Sequence, residues 1–211
     1  MKVILVAAVT ICGRLSTGGQ ASTPDRHRLE DLRDKTQASI MGANTLRLDN
    51  PEMRGINRSF PPDRIRAIIS QSGSVPTAGK KLFAHGPRPV VFTSRENTPV
   101  LREKLLTKAE VVPLPAGLYG LSIQAALDYL AAEGADSVLI EGGGRLNYSV
   151  LAQGLVDEIF LTIKPFVSGD STSSTFADGP YPLCHPFLTL EMQEYELAPN
   201  GEIFLQYRIK K

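Results

Sequence analysis

Ser137 to Leu151 reads SVLIEGGGRLNYSVL: a short apolar run, an acid, three consecutive glycines, and then Leu146, Val150 and Leu151 at helical spacing. The pattern predicts a buried strand, a turn and a helix. Glycine tolerates positive φ and lets other groups approach the backbone, while the first amides of a helix are unpaired and carry partial positive charge. Such a junction suits a phosphate. It equally suits a plain tight turn, and these residues alone leave both readings open.

Working outward, the same alternation recurs. Val3 to Val9 is a continuous apolar, β-branched run, as expected of a central strand buried on both faces. In STPDRHRLEDLRDKT, Thr23 can cap, Pro24 suits the first helical turn and Asp25 its positive end, with Leu29 and Leu32 as a narrow apolar stripe. ASIMG, RAIIS, PVVFTS and VVPL read as strands, and NTPVLREKLLTKA and SIQAALDYLAAEG as helices. After the glycines, RLNYSVLAQG is a helix closed by Gly154, and VDEIFLTIKPFV is a strand. LTLEMQEYEL and EIFLQYRI flank APNG, whose Asn200-Gly201 pair signals a hairpin. The expected fold is α/β, with a mixed, mostly parallel central sheet, helices on both faces and a C-terminal antiparallel hairpin. With no repeat or linker, residues 1–211 read as a single domain. Two long Pro- and Gly-bearing loops, DNPEMRGINRSFPPDR and GDSTSSTFADGPYPLCHP, are expected to be functional or mobile.

At 211 residues, 42% hydrophobic and 21% charged, the chain can bury a sizeable core. A balance of 23 basic against 22 acidic residues argues against binding nucleic acid or an anionic membrane through an overall positive field. Eight of the 14 arginines nevertheless fall between Arg26 and Arg66, which suits a phosphorylated small molecule or a solvated face. Cys12 and Cys184 form no CxxC pair, so neither a disulfide framework nor a zinc site is indicated, and a reducing, cytoplasmic setting is expected. No apolar stretch approaches the roughly 20 residues that span a bilayer, and the opening run lacks a cleavage pattern.

Several mechanisms lack their residues. No G-x-G-x-x-G follows the first strand, and neither a Walker A motif nor a G-x-S-x-G elbow occurs. His27, His85 and His185 have no acidic neighbour in sequence that would suggest a triad, and read as surface or loop residues.

Three segments together, AAVTICGRLS, IMGANTLRLDNP and VLIEGGGRLNYSVLAQGLVDEIFLTIKPFVSG, resemble the pyrimidine reductase of riboflavin biosynthesis, a family with the dihydrofolate-reductase-like fold. The resemblance covers nearly the whole chain. It implies NADPH-dependent reduction of 5-amino-6-(5-phosphoribosylamino)uracil to the ribitylamino product, in a protein commonly dimeric. It places a pyrophosphate cradle on Gly142, Gly143, Gly144, Arg145 and Leu146, nicotinamide contacts on the Ala8 backbone, further cofactor contacts on Thr45 and Asp49, and the adenosine end by Ser70. A hydroxyl rather than a carboxylate at Ser70 would not repel a 2′-phosphate, which favours NADPH over NADH. Glu141 would bind the pyrimidine, Arg33 and one of Arg54 or Arg58 the ribose phosphate, and Met53 would also lie by substrate. Without the resemblance, Arg33 reads as a helix-surface partner of Glu30 or Asp31. For catalysis it marks Glu141 and Asp49, with Asp49 or water as the proton source.

The chain departs from the family in places. Cys12-Gly13 stands where the family has Asp-Gly, a loop Trp is missing, Asp-Asp-Pro-x-Leu has become Asp49-Asn50-Pro51-Glu52-Met53, and Ser70 replaces an Asp. The zinc deaminase signature often fused to this reductase is absent. These substitutions keep two alternatives alive: a related reductase of a pterin or other heterocycle, and a nucleotide-binding protein without catalysis.

Overall fold

The apolar amino-terminal run is strand β1 (Lys2–Thr10), in the interior of a nine-stranded sheet. The computed structural model describes residues 1–15, 22–56, 60–61, 63–183 and 187–210. After β1 come α1 (Thr23–Asp34), β2 (Ala38–Gly42), α2 (Ala43–Asp49), β3 (Ile65–Ser70), β4 (Val90–Ser94), α3 (Thr98–Leu105) and β5 (Glu110–Leu114). A small ribbon of β6 (Ala116–Gly117) and β7 (Gly120–Leu121) precedes α4 (Ile123–Ala132), β8 (Ser137–Ile140), α5 (Gly144–Ala152), β9 (Glu158–Lys164), β10 (Leu190–Leu197) and β11 (Ile203–Ile209). Every strand and helix expected from the apolar periodicity is present. Two details differ. Ser22, rather than Thr23, caps α1: its Oγ accepts from the Asp25 amide at 3.1 Å and donates to Glu202 at 2.6 Å. The seven residues of α2 carry no capping side chain, and the helix stops at Asn50 in the left-handed region (φ 46), too short for a helical period to show in sequence.

The sheet order is β10-β11-β9-β1-β8-β2-β3-β4-β5, parallel from β9 to β5 and antiparallel at β9-β11-β10. Helices α4 and α5 cover one face, burying Leu127, Leu130, Leu146 and Val150 against Val3, Leu5, Ile40 and Val138. On the other face Leu32 of α1 meets Ile4 and Leu139, and α2 and α3 pack Leu46, Leu101 and Leu105 against Met41, Ile68 and Val91. No helix among the described residues is long and apolar enough to cross a membrane.

One topological feature positions the site. Strands β2 to β5 are laid outward from the centre; the chain then returns to insert β8 between β1 and β2, and α5 carries it across to β9 on the far side of β1. In open α/β sheets a crevice opens beyond the strand ends where the winding reverses. Here it is deepened by unequal pairing, for β1 follows β8 only to Leu5↔Ile140 but β9 as far as Thr10↔Lys164. The even residues of β1 face β8, as the Lys2 amide bond to Asp136 shows. Val6 and Ala8 therefore aim backbone groups past the end of β8, where no described strand continues and loop 11–15 folds back to bridge Val9 to Leu15. The early end of β8 explains why Val6 to Ala8 are only half-buried while Val3 to Leu5 are buried.

Candidate active site

The three glycines of the turn are present for two different reasons. Gly142 and Gly143 have φ +86 and +102, a region that costs any other residue strain. Gly144 is helical, and what excludes a side chain there is the chain itself: a Cβ would lie 2.3 Å from Asp178 Oδ2 and 2.6 Å from the Thr175 carbonyl oxygen. The segment 175–178 lies against the start of α5, held by the Asp178 amide on the Gly144 carbonyl at 2.9 Å. The packing of segment 175–178 is thus reason enough for the missing side chain at Gly144, whatever its amide binds. The first turn of α5 still begins without a capping side chain, so the amides of Gly144, Arg145 and Leu146 remain available as donors at the helix's positive end. Arg145 is exposed, whereas the Leu146 side chain is core.

Beside the turn stands a buried ion pair. Glu141, at the end of β8, accepts from Arg33 Nε at 2.9 Å and Nη2 at 2.6 Å, and the two side chains are only 3% and 7% exposed. Arg33 Nη1 donates to the Arg54 carbonyl at 3.1 Å, so the guanidinium also ties down the segment after α2. Burial pushes the Glu141 carboxyl up, but the charge and hydrogen bonds of Arg33, a Ser39 hydrogen bond and the charge of Arg64 together hold it below the usual carboxylate range. It is therefore an ionised acceptor at neutral pH, not a proton donor. Arg64 completes the set, with Nη2 on Ser39 Oγ at 2.5 Å. The surface pairing of Arg33 with Glu30 or Asp31 does not form.

The other expected residues divide. Thr45 is half-buried and donates to the Gly142 carbonyl at 3.3 Å, joining α2 to the turn, and Asp49 is exposed one helical turn later. Ser70 is buried at the carboxyl end of β3, where its carbonyl accepts from Thr93. Ala8 presents the backbone edge described above. Arg54 is 20% exposed between Glu52 at 3.3 Å and Glu30 at 3.8 Å. Met53 has no exposure and packs in the core with Met41, Leu46 and Ile68, so its side chain does not line the crevice; it fills the interior as an apolar residue of its size does. Arg58 and His185 lie outside the described residues; His27 and His85 are exposed, His85 within 3.0 Å of Glu52.

At the mouth, loop 11–15 and the segment 165–178 are laced together: Leu15 donates to the Ser174 carbonyl, Phe176 to that of Gly13, and Arg14 Nη1 to that of Ser173. Cys12 is exposed there, with Thr10 Oγ1 3.2 Å from its sulfur. The Thr10 hydroxyl and the Gly169 and Ser168 backbone pull the thiol down to about 7. A residue standing in the place of a family aspartate is thus partly thiolate at neutral pH. Alkylation of Cys12 by iodoacetamide is expected to rise through about pH 7, well before an ordinary thiol near ~8.5, and C12S should remove that phase. A rise only near the ordinary value would show that these donors do not reach the sulfur.

A crevice at the reversal of a mixed sheet, with the uncapped start of a helix on one side and the far end of the first strand on the other, is the arrangement of a dihydrofolate-reductase-like α/β protein. Dihydrofolate reductase from Enterococcus faecalis, in a structure complexed with NADP(H), shares that fold at a TM-score of 0.54 and 12% identity, over 100% of this chain and 97% of that one. Within that class the chain belongs to the RibD C-terminal domain family, whose profile matches residues 1–201. A Methanothermobacter thermautotrophicus protein named 2,5-diamino-6-ribosylamino-4(3H)-pyrimidinone 5′-phosphate reductase is 32% identical over 184 residues, covering 84% of this chain and 83% of that protein. The structure of a pyrimidine reductase-like protein from Corynebacterium diphtheriae matches with a TM-score of 0.80 at 22% identity, over 100% of this chain and 92% of that one.

Proposed function

We propose that the protein is an NADPH-dependent reductase of riboflavin biosynthesis, acting on a phosphorylated ribosylamino-pyrimidine. The observation that carries this is the set of amides at Gly144, Arg145 and Leu146, uncapped by any described side chain, opposite the β1 edge at Val6 and Ala8 beyond the end of β8. Those two features fit a dinucleotide: the amides and the positive end of α5 would hold its diphosphate, and the β1 edge its nicotinamide end. When bound, NADPH supplies the hydride. The chain's own part is to hold the sugar carbon against it and to exclude misaligned poses. Glu141, kept ionised, accepts pyrimidine N–H groups, and Arg54 and the other arginines of segment 26–66 attract the phosphate. Because Glu141 cannot give a proton at neutral pH, water supplies it, and Asp49 could do so only in its protonated form.

We also infer a homodimer, in the cytoplasm. Edge strand β10 is exposed along its length, and a bulge between Met192 and Glu194 keeps Leu190, Met192, Tyr195 and Leu197 on one face, opposite Ile209, Tyr207, Leu205 and Ile203. An apolar, unpaired edge of this kind is uncommon on a monomer. Light scattering that returned the mass of one chain would remove this inference.

The deciding assay follows NADPH consumption with two substrates, the diaminopyrimidinone in the name of the Methanothermobacter relative and its deaminated uracil counterpart. Turnover of either supports the proposal. Turnover of dihydropterins alone would favour the heterocycle reductase that Cys12 motivates, and coenzyme binding with no turnover at all would leave a nucleotide-binding protein.

A further inference from the structure

Asn147 lies in the first turn of α5 and is fully buried. Its Nδ2 donates to the Phe176 carbonyl at 2.8 Å, and since a carbonyl can only accept, that bond fixes which end of the amide is which. The other end, Oδ1, has no hydrogen-bond partner among the described residues. A buried amide oxygen left in that state bears a desolvation cost that needs an explanation.

The position of Oδ1 supplies one. It lies beside Gly142: a Cβ built there would sit 3.7 Å from Asn147 Oδ1, 3.8 Å from the Val6 carbonyl oxygen and 3.9 Å from Asn147 Nδ2, whose donor is already given to Phe176. Both acceptors therefore border the space left by the missing side chain, at the end of β8 and on the β1 edge beyond it. No donor among the described residues bonds to Oδ1 there. Two converging acceptors without a donor fit a group that brings two N–H bonds from one nitrogen. Of the parts of a nicotinamide dinucleotide, the carboxamide at the redox end has such a nitrogen, and the β1 edge is where that end is expected.

We propose that Asn147 reads the cofactor's nicotinamide carboxamide, its Oδ1 and the Val6 carbonyl accepting the two N–H bonds. This rests on the proposed function, because it presumes that a nicotinamide enters the crevice. Its consequence is orientation: with the carboxamide fixed, the ring can present only one face to the substrate. The tether to Phe176 makes the same residue a link between the cofactor ring and the segment 165–183 that lies over the start of α5.

The test measures binding without turnover. Calorimetry would compare reduced NADPH with its reduced 3-acetylpyridine analogue, in which a methyl group replaces the amide nitrogen. The wild type should prefer NADPH by about ten- to a hundredfold, the range of two neutral hydrogen bonds, and N147L, which keeps the Val6 carbonyl, should prefer it by only about three- to tenfold while still binding both. Because N147L also removes the Phe176 tether, a second measurement uses the unaltered protein: with nitrogen-labelled NADPH, the carboxamide protons should show nuclear Overhauser contacts to the Asn147 side chain. Undiminished preference in N147L, or absence of those contacts, overturns the assignment while the reductase reading stands. Failure of the wild type to bind either coenzyme overturns both.

Discussion

Replacing Arg33 with methionine should abolish turnover and lower the unfolding free energy by about 3–5 kcal/mol, the usual cost of removing one partner from a buried pair. The cause is the charge left behind. Glu141 is 3% exposed and receives two hydrogen bonds from Arg33; without them, Ser39 and Arg64 face a carboxylate that burial alone drives toward its neutral form. Changing both partners to apolar residues, R33M with E141L, should recover most of the stability, since a hydrophobic replacement of a buried pair is often neutral, but none of the activity. The pH profile separates this from general damage. In the wild type the carboxyl is held below its unfolded value, so its contribution is present above the unfolded pKa of ~4.3 and is lost as pH falls through the lower folded value. In R33M the shift reverses and becomes a raised pKa, so that protein should gain relative stability as Glu141 takes up a proton. Denaturant unfolding at several pH values should show the gap between wild type and R33M narrowing toward acid. A gap that is constant with pH would mean that Glu141 does not carry the effect.

The same pair shows where sequence reasoning stops. Apolar runs, the spacing of Leu29 and Leu32, Asn200-Gly201 and the glycine triplet are local signals, and each led to the element that formed. Glu141 was singled out by the resemblance, whose motif sets Glu-Gly-Gly between a strand and a helix. Its partner stands 108 residues away, and a reading from near neighbours on the helix offered Arg33 only Glu30 or Asp31. Met53 was assigned to the substrate by position within a motif, yet its side chain closes the second core, a matter of three-dimensional volume that no spacing encodes. Ser39, in β2, and Arg64, just before β3, help to keep Glu141 charged, and sequence pattern reveals neither as its partner. Asn147 looked like one polar residue in an amphipathic helix; its uncommitted oxygen emerges only when the Phe176 carbonyl is seen on its other end. Gly144 is the clearest case, because its neighbour Asp178 comes from a loop with no periodicity at all.

That distinction among the glycines can be measured by changing each to alanine. G143A should bind coenzyme about ten- to a hundredfold more weakly. Alanine at φ +102 is strained by about 1–3 kcal/mol, and its Cβ would also stand 3.1 Å from Thr45 Oγ1. Relief comes by rotating the peptide that carries the Gly144 amide. One hydrogen bond to a charged group is then lost, worth about 1.5–3 kcal/mol. G144A should behave differently. Its backbone is already helical, so the amides keep their direction, but a Cβ at 2.6 Å from the Thr175 carbonyl oxygen cannot be absorbed by a side-chain rotation. The segment 175–178 must lift from α5, and limited proteolysis should cut within 165–183 faster than in wild type or G143A. Adding D178A removes the 2.3 Å contact but leaves the carbonyl in place, so it should restore protection only in part. G142A meets nothing closer than 3.7 Å and has only its φ of +86 to pay for, which makes it the mildest of the three in stability. If G143A and G144A instead weaken coenzyme binding equally and leave the protease pattern unchanged, the three glycines share one role, and the separation between amide cradle and docked segment is wrong.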